Sequence, residues 1–304
     1  RDRARRSAPE MTRYIETNRE RFGVEPICRE LQVAPSTYYA ARNRPPSVRA
    51  TRDEELRGEI ERVNAGTFEV YGARKMWLQL RREQVKVGRD RVARLMKAIG
   101  LSGVSRGSAK RVTTFPSPVA QRPGDLVERK FTSSAPNRLW VSDLTYVATW
   151  SGFCYVAFVI DAFSRRIVGW RVAASLRAEL ALDALEMAIW SRRGQTLDGL
   201  IHHSDRGVQF LAIRYSERLT DEGAITSVGS KGSALDNALA ETVNGLFKTE
   251  LIRRKGPWKT VDDVELATLA WVDWWNHRRL HGACGDIPPA EYEENYYRKL
   301  EIAA

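Results

Sequence analysis

The sequence predicts an α/β protein in which a mixed β-sheet domain follows helical segments with a basic surface. Three observations predict it. From Arg138 onward, three β-type runs follow one another across short turns, and strands then alternate with helices. Before Gly100, apolar residues recur at helical spacing instead. Charge is also uneven, with 29 Lys and Arg against 16 Asp and Glu in residues 1–130 (+13), and 20 against 22 in residues 131–304 (−2). A basic front half on a near-neutral remainder is the electrostatic footprint of a nucleic-acid binder. Charge alone is equally a property of a merely soluble basic domain.

The 304 residues allow two or three domains and a substantial core. No apolar run approaches the roughly 20 residues needed to span a bilayer. The start, Arg1-Asp2-Arg3-Ala4-Arg5-Arg6, has no apolar segment behind it, so it does not read as a secretory signal. It lacks an initiator Met, which fits a trimmed product or the downstream part of a longer reading frame. Cys28, Cys154 and Cys284 lie far apart without CxxC spacing. That argues for reduced thiols in a cytoplasmic setting and against a structural zinc site.

Residues 1–48 form the first expected helical region. Pro26–Leu31, a tight turn and Ser36–Arg42 read as a helix-turn-helix, with Pro35 early in the second helix. That helix could set Ser36, Thr37, Tyr39 and Arg42 against a duplex groove; spacing alone fits an ordinary αα-hairpin as well. Residues 49–104 repeat the theme with helices at Asp53–Asn64, Ala73–Arg82 and Arg89–Ile99. In the last, Val92, Leu95, Met96 and Ile99 share one face, while Arg89, Arg91, Arg94 and Lys97 lie mostly off it. This fits a recognition helix or a solvated basic face. Residues 105–136 lose periodicity and carry Pro, Ser and the bases Arg106, Lys110 and Arg111, a linker suited to tracking phosphates.

Residues 137–256 form the expected catalytic core. Strands are expected at Leu139–Val147, Phe153–Ile160 and Arg166–Val172, as an antiparallel meander. Helix Leu176–Trp190, strand Leu200–His203, helix Phe210–Leu219, strand Ala224–Val228 and helix Leu235–Leu251 follow. This is the order of a ribonuclease-H-like fold. Residues 257–304 extend it with helices, where the spacing of Trp271, Trp274 and Trp275 favours core packing over base stacking.

Three acidic residues stand out. Asp143 lies on the first strand, Asp205 follows a short strand, and Glu241 sits on a helix with 35 residues between it and Asp205. Such carboxylates can share two divalent ions, the requirement for phosphoryl transfer on nucleic acid. Other readings exist for each neighbour. Asp143 could cap a turn. His203-Ser204-Asp205 could be a hydrolase-like fragment, but adjacent strand residues point to opposite faces. His202 and His203 read as packed or hydrogen-bonded neighbours of the site. Asp161 could approach Asp143, yet Arg165-Arg166 beside it suggests a turn.

Several long segments carry a resemblance. Trp140-Val141-Ser142-Asp143-Leu144-Thr145-Tyr146, Ile160–Trp170, His203-Ser204-Asp205-Arg206-Gly207-Val208-Gln209-Phe210 and Asp236-Asn237-Ala238-Leu239-Ala240-Glu241 resemble the integrase core of insertion-sequence transposases. The nearest likeness is to the OrfB product of the IS-three family, in the DDE transposase and retroviral-integrase superfamily. Phe22–Cys28 and Tyr71-Gly72-Ala73-Arg74 resemble that family's N-terminal helix-turn-helix regions. Trp275–His281 and Pro288-Pro289-Ala290-Glu291-Tyr292 resemble its C-terminal end.

The resemblance implies metal-dependent cleavage and transfer of DNA strands at the ends of a mobile element. It implies two Mg²⁺ ions, replaceable by Mn²⁺, held by Asp143, Asp205 and Glu241. The implied partners are the element's terminal inverted repeats, target DNA, further copies of the chain and an upstream-frame protein. Cytoplasmic, nucleoid-associated action follows. A hydrolytic nuclease of the same fold and a catalytically silent repressor are the competing functions.

Helical geometry refines these expectations. Lys248, seven residues after Glu241, falls within about 20° of the same face and is expected to contact DNA. Glu250 is expected on the opposite face. Asp236, about 140° away at the helix start, is expected to cap the helix.

Overall fold

The computed structural model describes residues 8–105, 127, 131–205, 209–210, 213–228 and 237–303. Arg106, Lys110 and Arg111 of the expected linker, and Asp236, lie outside the described residues. The chain divides into two compact units, Arg1–Gly58 and Glu59–Ala304.

In the first unit, α1 (Ala8–Phe22), α2 (Val24–Glu30) and α3 (Pro35–Asn43) pack around Ile15, Ile27, Cys28 and Tyr38. Gln32 adopts a left-handed φ of 57°, and the Val33 amide donates to the Cys28 carbonyl at 2.9 Å. These close the turn between α2 and α3, where the sequence places it. Pro35 opens α3, since its missing N–H costs nothing in a first turn. Tyr38 is the anchor of α3 and donates its hydroxyl to Glu16. The division between the units falls within α4 (Val48–Gly66).

The second unit begins with the rest of α4, α5 (Ala73–Arg82) and α6 (Arg89–Ala98). Met76 and Leu80 on α5 and Val92, Leu95 and Met96 on α6 are buried, as their spacing predicts. The sheet follows, with β1 (Leu139–Thr149), β2 (Gly152–Asp161), β3 (Ile167–Ala173), α7 (Ala178–Ser191), β4 (Ile201–Ser204), α8 (Ile213–Asp221) and β5 (Ile225–Val228). Strand order is β3-β2-β1-β4-β5. The first three strands pair antiparallel, while β4 joins β1, and β5 joins β4, in parallel. This is the mixed sheet of a ribonuclease-H-like fold.

Both sheet faces are covered, and alternation along β1 decides which residue goes where. Leu139, Val141 and Val147 face one apolar cluster, shared with α9 (Ala238–Phe247) and α11 (Val261–His277). Trp140 and Leu144 face the other, shared with α7 and α8. Gly169 lets β3 meet α7 closely, since a Cβ there would come within 2.0 Å of the Ala184 carbonyl oxygen. The helix begun by α9 continues through a π-helical turn, Lys248–Ile252, into the single turn α10 (Arg253–Lys255).

Trp271, Trp274 and Trp275 are core residues, all but fully buried. The Asn276 side chain pairs with both backbone groups of Ile167, at 2.9 and 2.8 Å. The last helix, α12 (Pro289–Ala303), is tied down by an ion pair between Glu293 and Arg192, both buried. The segment ahead of α5 is clasped by the C-terminal part. Tyr71 packs on Trp274, and its hydroxyl accepts from the Leu280 amide at 2.8 Å. Arg74 pairs with Asp286 at 2.9 Å and Arg82 with Glu291.

Candidate active site

The parallel register of β1 and β4 builds the site. Ser142 is the last β1 residue opposite β4, and its partner Ser204 is the last residue of β4. Asp143, inside β1, and Asp205, just past the end of β4, therefore each stand one residue past the end of that ladder. Glu241 comes from the first turn of α9. The start of α9 is fixed to β1 by Asn237, whose side-chain amide donates to the Ser142 carbonyl at 2.9 Å. The N-cap residue of α9 is Asn237, whose side chain makes no capping bond, while the cap expected at Asp236 falls outside the described residues.

Asp143 is held on both oxygens. Oδ1 accepts from the Leu144 amide at 2.8 Å, and Oδ2 accepts from the Asn244 side-chain amide at 2.9 Å. Its carboxyl is nevertheless pushed up to about 8, first by burial, then by the negative charge of Asp205, with Glu241 adding to it. Glu241, more open to solvent, is raised by the same causes in the same order, partial desolvation and then Asp205. Asp205 thus raises the proton affinity of both Asp143 and Glu241, and Glu241 that of Asp143, as in a cluster of like charges.

Asn244 was not foreseen, although its spacing held the clue, since it stands three residues from Glu241 on one helical face. Its Oδ1 is buried without a hydrogen-bond partner among the described residues. An orphaned oxygen beside hard carboxylate donors fits Mg²⁺ or Mn²⁺, which take oxygen ligands and keep several waters. No group of three or more His, Cys, Asp or Glu side chains among the described residues is itself arranged to hold a metal ion. The donor chemistry suits the ion, while the arrangement falls short of a closed cage.

Lys248 lies at the end of α9 with its ammonium over the Tyr146 ring, 4.5 Å from the centroid. Burial and Arg253 lower its proton affinity, and Asp143 opposes them. Glu250 is buried on a separate side, in a two-pronged ion pair with Arg279 that includes a 3.0 Å bond.

The remaining neighbours have structural partners. Asp161 is fully buried and accepts from the Asn137 and Phe163 amides, both at 2.8 Å, so it organises a turn. Ser204 donates to the Asp205 carbonyl at 3.2 Å, and His203 meets Ser227 at 2.9 Å; neither belongs to a hydrolase triad. His202 contacts the Ser142 and Tyr215 hydroxyls at 2.8 and 3.0 Å. Burial drives the His202 imidazole down to about 3, with His203 contributing.

The other expected DNA contacts are not part of this cluster. On α3, Ser36, Thr37, Tyr39 and Arg42 are all exposed, and on α6 so are Arg89, Arg94 and Lys97, with Arg91 half-buried. Among the described residues, no helix is long and apolar enough to cross a membrane.

Comparison with known proteins places this geometry in context. Family models described as an integrase core domain match residues 133–234 and 222–289, and one described as an HTH-like domain matches residues 51–109. A putative transposase for insertion sequence element IS986/IS6110 from Mycobacterium tuberculosis is 57% identical over 277 residues, 90% of this chain and 99% of that protein. The transposase for insertion sequence element IS629 from Shigella sonnei is 50% identical over 295 residues, 95% and 98% of the two chains. Transposase InsF for insertion sequence IS3A from Escherichia coli is 31% identical over 292 residues, 92% and 97%. Among solved structures, the HTLV-2 integrase catalytic core in complex with magnesium aligns with 53% of this chain and 98% of its own. Its TM-score is 0.42 at 17% identity.

Proposed function

The chain belongs to the insertion-sequence transposases of the IS3 family, polynucleotidyl transferases with an integrase core, and from that premise we propose that Asp143, Asp205 and Glu241 carry metal-dependent DNA cleavage and joining. The observation that carries this reading is the β1–β4 register, which puts Asp143 and Asp205 at matching positions just past the end of their shared ladder, with α9 bonded to Ser142 and Asp143. The three carboxylates, with the Asn244 oxygen near them, would hold Mg²⁺ or Mn²⁺. When bound, such ions would supply activation of the attacking water or 3′-hydroxyl and stabilisation of the leaving oxygen.

The chain's own groups do the rest. The Leu144 amide and the Asn244 side chain fix both Asp143 oxygens, so the carboxylate presents its remaining lone pairs in one orientation. Asn237 holds the first turn of α9 against β1, which keeps Glu241 facing the aspartates. Lys248, steadied on Tyr146, supplies positive charge for the phosphate next to the scissile one. The exposed faces of α3 and α6 bind the terminal repeats, and a reaction on two DNA ends and a target calls for more than one copy of the chain.

The test is strand transfer with duplexes carrying the element's ends, in Mg²⁺ or Mn²⁺. The parent chain should cleave and join. Asp143→Asn, Asp205→Asn and Glu241→Gln should do neither while remaining folded. Cleavage without joining would make the protein a nuclease, and DNA binding without either would make it a repressor.

A further inference from the structure

Between Ser142 and Thr149 one edge of β1 has no strand beside it among the described residues, because β4 pairs only with Leu139–Ser142 while β2 continues to Thr149, where an isolated bridge joins Trp258. The hairpin that β1 and β2 form there carries exposed aromatic rings. Tyr146, Trp150 and Phe153 are 43%, 71% and 57% exposed. Ala148 pairs with Phe153 and Tyr146 with Tyr155, so Tyr146 and Phe153 lie on one sheet face, and their rings meet edge to face at 5.8 Å. Two ammonium groups attend this surface: Lys248 over Tyr146 at 4.5 Å and Lys259 over Trp150 at 5.8 Å.

The tip is a built feature. The Trp150 amide donates to the Trp258 carbonyl at 3.0 Å, and the Ser151 amide to the Lys259 carbonyl at 3.2 Å. These bonds hold the turn against the chain that leads into α11 and set Lys259 beside Trp150. At about 3.3 Å per strand residue, Tyr146 stands roughly 10 Å from Asp143 along β1 and Thr149 roughly 20 Å. Alternation puts the Tyr146 ring on the sheet face opposite the Asp143 side chain, so the row of rings starts across the free edge of β1 from the carboxylates, where Lys248 reaches it, and runs away from them.

We propose that this hairpin is a stacking platform for unpaired nucleotides of the DNA strand that passes out of the carboxylate site. The inference rests on the DNA-processing function proposed above and names a ligand form for it, single-stranded DNA. In a duplex the base faces are already covered by neighbouring bases, so a row of open rings is met only by splayed ones. Rings give sequence-tolerant stacking because every base has a π-face, and lysines among them neutralise the phosphates between successive bases. A protein partner has a weaker claim, since the two ammonium groups match the charge of a nucleic-acid strand.

The experiment uses the full chain and fluorescence anisotropy with a labelled oligodeoxythymidine, beside a duplex of equal phosphate count. Trp150→Ala and Phe153→Ala should each weaken oligodeoxythymidine binding by about fivefold or more, with duplex binding unchanged, and Tyr146→Ala should weaken it as much. Tyr146→Phe should bind as the parent does. A 5-iodouracil-substituted strand should crosslink to Trp150 or Tyr146. Ring variants that bind the single strand as tightly as the parent would overturn the proposal. So would ring variants that bind it normally but change the oligomeric state in light scattering, which would make the patch a contact between copies. A parent that binds and joins duplex ends but ignores the single strand sinks this proposal alone. A parent that binds no DNA sinks the proposed function with it.

Discussion

Asn244 and Asp143 lie 101 residues apart in sequence and share a 2.9 Å hydrogen bond between the side-chain amide and Oδ2. The bond couples the helix that carries Glu241 to the strand that carries Asp143. It also favours the ionised carboxylate against the burial and the neighbouring charges that oppose it.

Asn244→Ala should therefore raise the proton affinity of Asp143 further. A hydrogen bond to a charged group is worth about 1.5–3 kcal/mol, so the alkaline shift in the pH profile of strand joining should be on the order of one pH unit. The melting temperature should change little. An unshifted profile would show that the amide only packs.

The metal-free protein should lose stability as pH rises from the ordinary carboxylate range toward about 8. The sign follows from linkage: Asp143 keeps its proton longer when folded, so the folded state binds more protons in that window. Asp143→Asn should remove this loss and melt higher than the parent above neutral pH. Added Mg²⁺ or Mn²⁺ should stabilise the parent increasingly with pH and Asp143→Asn much less, because binding displaces the proton. Calorimetry across pH, with and without metal, reads all three effects.

His202 should act in the opposite direction. Burial lowers its folded value from 6.5 to about 3, so between those values the unfolded chain binds the extra proton. The stability it permits is complete above pH 6.5 and is lost as pH falls toward 3. The stability difference between parent and His202→Gln should shrink across that range in urea titrations at successive pH values. A constant difference would remove the histidine from the acid response.

Two truncations should behave differently. Removing residues 1–47 deletes α1–α3, which have a core of their own, and should leave the remainder folded with a shallower salt dependence of DNA binding. Removing residues 1–104 also takes Tyr71 away, leaving the Leu280 amide without its acceptor and Trp274 without its cover. The shorter chain should melt lower and expose apolar surface to a hydrophobic dye. Tyr71→Phe alone should cost about 1–3 kcal/mol.

The parts of this fold that the sequence exposes are those governed by local period. The runs at Leu139, Phe153 and Arg166 alternate, and the segment Ala73–Arg82 has the spacing of the helix it forms, end to end. The three acidic residues stood out because periodicity assigns each to an element, Asp143 inside a strand, Asp205 just past one and Glu241 on a helix. Asn244 was harder, because a polar residue on a helix reads the same whether it faces solvent or an aspartate. The π-helical turn at Lys248–Ile252 has no local signature, and the phase of the helix changes there. The clasp of Tyr71 on Leu280 joins residues 209 positions apart, beyond any periodic signal.

That clasp has a bearing on synthesis. A ribosome adding roughly 5–20 residues per second needs roughly 10–40 s to travel from Tyr71 to Leu280. Throughout that interval the nascent chain exposes the ring of Tyr71, with the α5–α6 helices already made and their closing segment still unwritten. Any message broken or terminated before that segment yields a chain that can form its early helices but cannot shut the catalytic unit around them. The catalytic unit closes only once the segment that carries Leu280 has been made.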